Sequence, residues 1–254
     1  MTIEELTDSF IQNELESMDA AALIEWAFMN FGDKAAIGTS FQLTGSVLID
    51  LAAAALGDEG RGHGKFRVFT VDTGRLHPET FQIIKETEER YGIKVESFKP
   101  DQKRVKDMVE RFGEYLFFDD KAKQEYCCTI RKVEPNAEAL KTLDVWITGL
   151  RRDQSEFRKD IKKAELIELG GGRKILRLTP LADWSLDKIW SYIKEHDAPY
   201  NTLHDKGYDS IGCVICSTPR RESEPPRAGR WRWQDQDDNK KECGIHISKK
   251  KVVA

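Results

Sequence analysis

No apolar run in this chain approaches the roughly 18 residues that a membrane-crossing helix needs, so no membrane partner is expected. Neither sign of charge dominates: 44 acidic side chains against 40 basic ones leave a net charge of −4. That balance argues against nucleic acid as the main ligand. The opening residues, MTIEELTDSF, are acidic and lack the apolar centre of a secretory leader. The expected compartment is the reducing cytoplasm, where structural disulfides are rare. No internal repeat is visible, and no Gly-Lys-Ser/Thr closes a glycine-rich loop, which excludes a Walker-type phosphate cradle. Cysteine is scarce, five in 254 residues, but it is not scattered.

A chain of this length fits one large domain, or one domain with an appendage. Residues 4 to 31 repeat apolar side chains at helical spacing, with Asp19 as a cap and Gly32 as a stop. Short apolar runs then alternate with helical stretches. Ala35–Gly38, Phe66–Val71, Ile93–Phe98 and Val145–Thr148 read as strands. Thr44–Leu56, Pro78–Tyr91, Val105–Phe112 and Ser185–His196 read as helices, with Pro78 at a first helical position. Leu166–Leu169 and Lys174–Leu178 flank three glycines and read as a hairpin. Gly57–Gly64 reads as a surface loop. This alternation predicts an α/β fold, a parallel sheet with helices on both faces and ligands beyond the carboxyl ends of the strands. After Cys216 the sequence is nearly free of aliphatic residues and holds three prolines before residue 240. It is expected to build no core. The predicted division is a body over residues 1–216 and a mobile C-terminal tail over 217–254.

The cysteines form an adjacent pair, Cys127-Cys128, a spaced pair, Cys213-x-x-Cys216, and a single residue, Cys243. Isolated core cysteines have no reason to pair in this way. Two thiol pairs suit a metal site, and both zinc and iron–sulfur accept four thiolates. Adjacent cysteines fit zinc-ribbon geometry poorly, which favours a cluster. Cys243 stands outside that count, beside Lys240, Lys241 and His246. Nearby cations lower a thiol's pKa and yield a nucleophilic thiolate. A free thiol on a frayed tail is the competing reading.

Three segments follow predicted strands. Thr39–Ser46 is rich in hydroxyls and enters a helix, so it can cradle a phosphate or merely cap that helix. Asp72, in Val71–Pro78, can bond a ribose or close its own turn; His77 reads more readily as a turn residue than as a catalyst. Arg151 and Arg152 can bind an anion or form a solvated charge run.

Together these segments resemble the assimilatory adenylyl-sulfate and phosphoadenylyl-sulfate reductases, within the adenine-nucleotide α-hydrolase-like superfamily. The resemblance runs from about residue 20 to 248 through TSFQLTGSVLIDLA, FTVDTGRLHPET, CCTIRKVEPNAEAL, TGLRRDQS, PYNTLHDKGYDSIGCVICSTP, RAGRW and KECGIH. It implies the cluster-bearing branch, which uses adenylyl sulfate. Cys127, Cys128, Cys213 and Cys216 would ligate a 4Fe–4S cluster. Cys243 would be the nucleophile, and Lys132 would link cluster and substrate sulfate. Arg227, Arg230 and His246 would reach the sulfate and phosphate oxygens. Ser40, Gln42, Gly45, Ser46, Asp72, Thr73, Gly149, Arg151 and Arg152 would frame the nucleotide. Ser46 stands where an acidic residue is frequent, and Gln42 replaces a smaller one.

The implied chemistry is attack of Cys243 on the sulfate sulfur. AMP leaves, and an S-sulfocysteine remains for thioredoxin or glutaredoxin to reduce to sulfite. The cations would neutralise sulfate charge that otherwise repels a thiolate. The rival readings are a reductase of the 3′-phosphorylated substrate, a tRNA thiolase and a cluster-based redox sensor. The thiolase would need a Ser-Gly-Gly loop that Ser40–Ser46 lacks. The sequence leaves a homo-oligomer open.

Overall fold

The computed structural model describes residues 1–57, 66–225, 227–234 and 245. The Gly57–Gly64 loop, the nucleophile candidate Cys243 and His246 therefore lie wholly or almost wholly outside the described residues. The helices are α1 (Asp8–Asn13), α2 (Ala20–Phe31), α3 (Leu43–Leu56), α4 (Pro78–Tyr91), α5 (Gln102–Phe112), α6 (Lys121–Cys128), α7 (Glu134–Lys141) and α8 (Leu186–Glu195). The strands are β1 (Ala35–Gly38), β2 (Arg67–Val71), β3 (Val95–Phe98), β4 (Val145–Thr148), β5 (Ala164–Glu168) and β6 (Lys174–Leu178).

Local chemistry sets many of these boundaries. The Asp19 carboxylate accepts the Ala22 amide at 2.9 Å and starts α2, while Gly32, at φ 52°, ends it in a conformation that side chains disfavour. Ser185 caps α8 through the Lys188 amide. Two helices escaped the sequence reading. Lys121–Cys128 is charged and polar over most of its length, so its apolar period is weak. Its start is nevertheless marked by Asp120, whose carboxylate accepts the Lys123 amide. Glu134–Lys141 follows without a break, joined by a five-residue π turn at Thr129–Val133.

The six strands run in the order β3-β2-β1-β4-β6-β5. β1 pairs in parallel with β2 and β4, and β4 pairs in parallel with β6. β5 runs antiparallel to β6, because the short glycine turn between them can only reverse the chain. The hairpin expectation holds at that edge of a mostly parallel sheet. Among the described residues no helix is long and apolar enough to cross a membrane.

The chain forms two compact units. The first comprises Met1–Thr70, Thr80–Glu96 and Thr142–Asn201. Its core is apolar, built from α2 and α3 on β1 and from residues such as Leu23, Ile37, Leu48, Val145 and Leu176. One carboxylate lies within it. Asp50 accepts hydrogen bonds from Tyr91 at 2.6 Å and Tyr192 at 2.8 Å, which joins α3 to α4 and α8.

The second unit comprises Val71–Glu79, Ser97–Lys141 and Thr202–Ala254. Its interior is smaller and split into two clusters. Met108, Leu116, Phe117, Cys127 and Ile130 form one; Cys213, Cys216 and Trp231 form the other. Described residues of the segment after Cys216 pack within this unit. Ser217 bridges Arg230, and Ala228 and Trp231 are buried. Trp231 packs with Cys213 and Cys216, doing there the work that aliphatic residues do elsewhere.

Candidate functional site

In the first unit, β1 and β4 are neighbours in parallel register, with Gly38 opposite Thr148. The turns that leave their carboxyl ends therefore lie side by side. Thr39 accepts the Phe41 amide at 2.9 Å, and Phe41 takes a φ of 54° to turn into α3. A Cβ on Gly45 would come within 1.9 Å of the Thr39 hydroxyl, and one on Gly149 within 2.5 Å of the Thr44 hydroxyl. Both glycines are thus required by packing between the turns. Ser40 is exposed and accepts a hydrogen bond from Gln42. Ser46 is 4% exposed, and its hydroxyl has no hydrogen-bond partner.

The two arginines after β4 are engaged inside this unit. Arg151 pairs with Asp153. Arg152 donates to the Ile161 carbonyl and pairs with Glu16. Neither of the roles foreseen for them, anion ligand or solvated charge, describes these contacts.

In the second unit, Asp72 closes its own turn: its carboxylate accepts the Gly74 amide at 2.9 Å and faces Lys99 at 3.6 Å. The Thr73 hydroxyl accepts the Arg75 amide and lies 3.3 Å from the Cys213 sulfur. Thr73 therefore sits with the cysteines. His77 is buried edge-on against Tyr208, and its Nε2 finds no partner. The turn-residue reading is incomplete at that atom.

The four cysteines of the two pairs are all free thiols in this unit. Cys127 and Cys128 end α6. Cys213 precedes a 3₁₀ turn, and Cys216 closes it by donating its amide N–H to the Cys213 carbonyl at 2.9 Å. Both cysteines are buried in one cluster with Trp231. Cys128 packs against the Cys213–Cys216 cluster and accepts a bond from Gln124 at 3.0 Å. Burial pushes the Cys127 thiol up, with Arg75 and then Arg131 pulling against it and Cys213 adding to the rise. Burial also raises Cys216, to about 11; Cys213 adds to this, and Arg230 and Lys132 oppose it. The thiols thus sense one another and four cations.

Arg230, expected at a substrate oxyanion, is 4% exposed. It donates to the Cys216 carbonyl and the Ser210 hydroxyl and lies over the Trp231 ring. A Cβ on Gly212 would meet its guanidinium at 2.5 Å, so the glycine makes room for it. Arg227 is half-buried at φ 67°. Arg75 and Arg131 were missed by the sequence reading. Arg131 stands four positions after Cys127, as Lys132 does after Cys128, and that spacing was available to find it.

Among the described residues no three His, Cys, Asp or Glu side chains gather tightly enough to hold a single metal ion. Among the described residues of this unit, the buried atoms without partners include Arg131 Nε, Arg230 Nη2, Trp231 Nε1 and His77 Nε2. Free thiols and unpaired N–H groups form a donor set suited to a sulfur-rich anionic group.

The fold is that of an α/β protein with paired turns at the carboxyl ends of its strands, and its second unit holds four cysteines under the influence of Arg75, Arg131, Lys132 and Arg230. A family model described as the phosphoadenosine phosphosulfate reductase domain matches residues 34–219, and the chain belongs to that family. The adenosine 5'-phosphosulfate reductase 2 of Bacillus subtilis is 33% identical over 247 residues, 97% of this chain and 94% of its own length. The adenosine 5'-phosphosulfate reductase of Burkholderia cepacia is 43% identical over 181 residues, 71% of this chain and 70% of its own. Among solved structures, phosphoadenylyl-sulfate reductase from Candida auris in its phosphate complex matches with a TM-score of 0.68 at 24% identity, covering 86% of this chain and all of that one. FMN adenylyltransferase of Candida glabrata matches with a TM-score of 0.55 at 17% identity, over 88% of this chain and 73% of that one. At those identities the likeness is one of fold.

Proposed function

We propose that the chain reduces adenylyl sulfate to sulfite and AMP, with Cys243 as nucleophile and a dithiol protein of the thioredoxin or glutaredoxin kind as reductant. The carrying observation is the set of four free thiols in one unit, flanked by Arg75, Arg131, Lys132 and Arg230, in a chain whose relatives bear the adenosine 5'-phosphosulfate reductase name. Cys127, Cys128, Cys213 and Cys216 would hold a 4Fe–4S cluster. Four irons with one thiolate each ask for wider thiol spacing than a single ion does, and the unpartnered buried donors suit its sulfurs. Bound there, it would add a polarising charge near the sulfate-binding cations.

The chain's own residues carry the reaction. Lys132, with Arg227 and Arg230 as further cations, offsets the sulfate charge so that an anionic thiolate can approach. The Cys243 thiolate forms a bond to the sulfate sulfur, and the bond from that sulfur to the phosphate oxygen breaks. AMP takes the electron pair, and Cys243 keeps the SO₃ group. A donor thiolate then attacks the Cys243 sulfur and expels sulfite. The donor's second thiol resolves the mixed disulfide, so the donor is oxidised and Cys243 is restored. In the first unit, the unpartnered Ser46 hydroxyl and the turns after β1 and β4 are offered to the nucleotide. The site would act in sulfate assimilation in the cytoplasm.

The test is sulfite release with adenylyl sulfate and, separately, with its 3′-phosphorylated form. Adenylyl sulfate is expected to lead in kcat/KM by about tenfold or more, roughly 1.4 kcal/mol. Without reductant, intact-protein mass spectrometry should find one SO₃ group on Cys243, and Cys243→Ser should form none. An adduct on another cysteine, or no sulfite from either substrate, refutes the assignment.

A further inference from the structure

Arg232 has been given no role, yet every nitrogen of its guanidinium is used. Nε donates to the Thr218 hydroxyl at 2.9 Å and Nη2 to the Pro219 carbonyl at 2.7 Å, while Nη1 pairs with the Glu224 carboxylate. The other Glu224 oxygen accepts the Arg221 amide at 2.9 Å, and the Glu224 carbonyl accepts the Arg220 side chain at 2.9 Å. Arg232, and then the Arg221 amide, hold the Glu224 carboxyl down at about 2. Across the same segment the Thr218 amide donates to the Gly229 carbonyl at 2.9 Å. The approach is close: a Cβ on Gly229 would come within 2.0 Å of the Thr218 carbonyl oxygen. Thr218 and Pro219 at one end are thus tied to Glu224 and to Gly229 and Arg232 at the other. Between them stands Arg227, at φ 67°, a backbone conformation that arginine adopts only under constraint. Its carbonyl accepts the Arg230 amide at 2.9 Å. Arg230 is fixed in turn to the Cys216 carbonyl and the Ser210 hydroxyl, with Nη2 buried and unpartnered.

We propose that Arg232 is a positioning residue for the substrate sulfate: its planar fork closes the segment from Thr218 onward on itself and so fixes Arg227 and Arg230, the cations offered to that sulfate. This rests on the adenylyl-sulfate reading above and deepens it. The closure depends on shape as well as charge. An ammonium group can answer Glu224 but cannot meet three acceptors in one plane, so lysine keeps the charge and loses the closure. AMP carries no sulfate and should not sense that loss.

The experiment uses the full chain, reconstituted anaerobically with iron and sulfide, as wild type, Arg232→Lys and Thr218→Val. Sulfite release gives kcat/KM for adenylyl sulfate and the inhibition constant of AMP, and circular dichroism reports the fold. Arg232→Lys is expected to lose about tenfold in kcat/KM while AMP inhibits within about twofold of wild type. Thr218→Val removes one acceptor of the fork and no charge, and should lose about threefold in the same selective way. Wild-type kcat/KM in a folded Arg232→Lys protein overturns the proposal. An equal loss for adenylyl sulfate and AMP overturns it too, because a fork that merely stabilises the fold would weaken both. If Arg232→Lys does not fold, wild-type constants in Thr218→Val overturn the proposal instead. Wild-type protein that makes no sulfite from adenylyl sulfate refutes the activity reading and the proposal with it, an outcome distinct from the others.

Discussion

The two units treat buried polarity in opposite ways. In the first, the buried Asp50 carboxylate is closed off by two tyrosine hydroxyls, and nearly everything around it is aliphatic. In the second, a small interior holds guanidinium, imidazole, indole and thiol groups together, and several of their donors lack partners. A satisfied polar network fixes helices to one another. An unsatisfied one costs stability unless something else completes it. The first unit is thus organised for folding and the second for holding chemistry. Ser46 sharpens the contrast, because its hydroxyl lies buried near the start of α3 without a partner among the described residues.

The largest expected effect lies in the second unit. Cys213→Ser should lose bound iron and sulfite production together, since Cys213 touches Thr73 and influences both Cys127 and Cys216. Iron per chain and activity with adenylyl sulfate measure this; full activity without iron would erase the distinction between the units. Next, Asp50→Ala should destabilise the first unit by about 3 kcal/mol, because two tyrosine hydroxyls lose their acceptor. Chemical denaturation reads the loss, and iron content should stay unchanged.

The third effect is a pH dependence. Burial lowers His204 in the second unit to about 4 from its usual 6.5. The folded protein favours the neutral ring, so this stability is complete above pH 6.5 and falls as pH drops toward 4. The loss should be about 3 kcal/mol, and His204→Gln should flatten it. His77 is lowered in the same direction by burial. A denaturation series across that range with no slope difference between wild type and variant would contradict this. The smallest effect belongs to Ser46→Ala. Its folding stability should stay within about 0.5 kcal/mol of wild type, while nucleotide binding weakens by about fivefold, or 1 kcal/mol. Calorimetry with AMP distinguishes a waiting hydroxyl from an indifferent one.

Much of the protein was open to reading from its residues alone. Periodicity located β1, β4, α4 and α8 to within a residue or so, because each element carries its own apolar pattern and punctuation in Asp19, Gly32, Pro78 and Ser185. The pairing of the cysteines was legible for a similar reason: spacing within a short turn is local. α6 and α7 were hidden by their polarity, and no sequence period reveals a π turn.

What only tertiary structure decided is which side chains meet across the chain. Arg151 and Arg152 meet Asp153, Glu16 and a carbonyl. Thr73 lies against Cys213, 140 positions away. Arg75 and Arg131 drew no notice in the sequence, yet both act on Cys127. The reason is physical: helix, strand and turn preferences act over a few bonds, whereas the field around a buried thiol sums charges brought near by folding, whatever their distance along the chain.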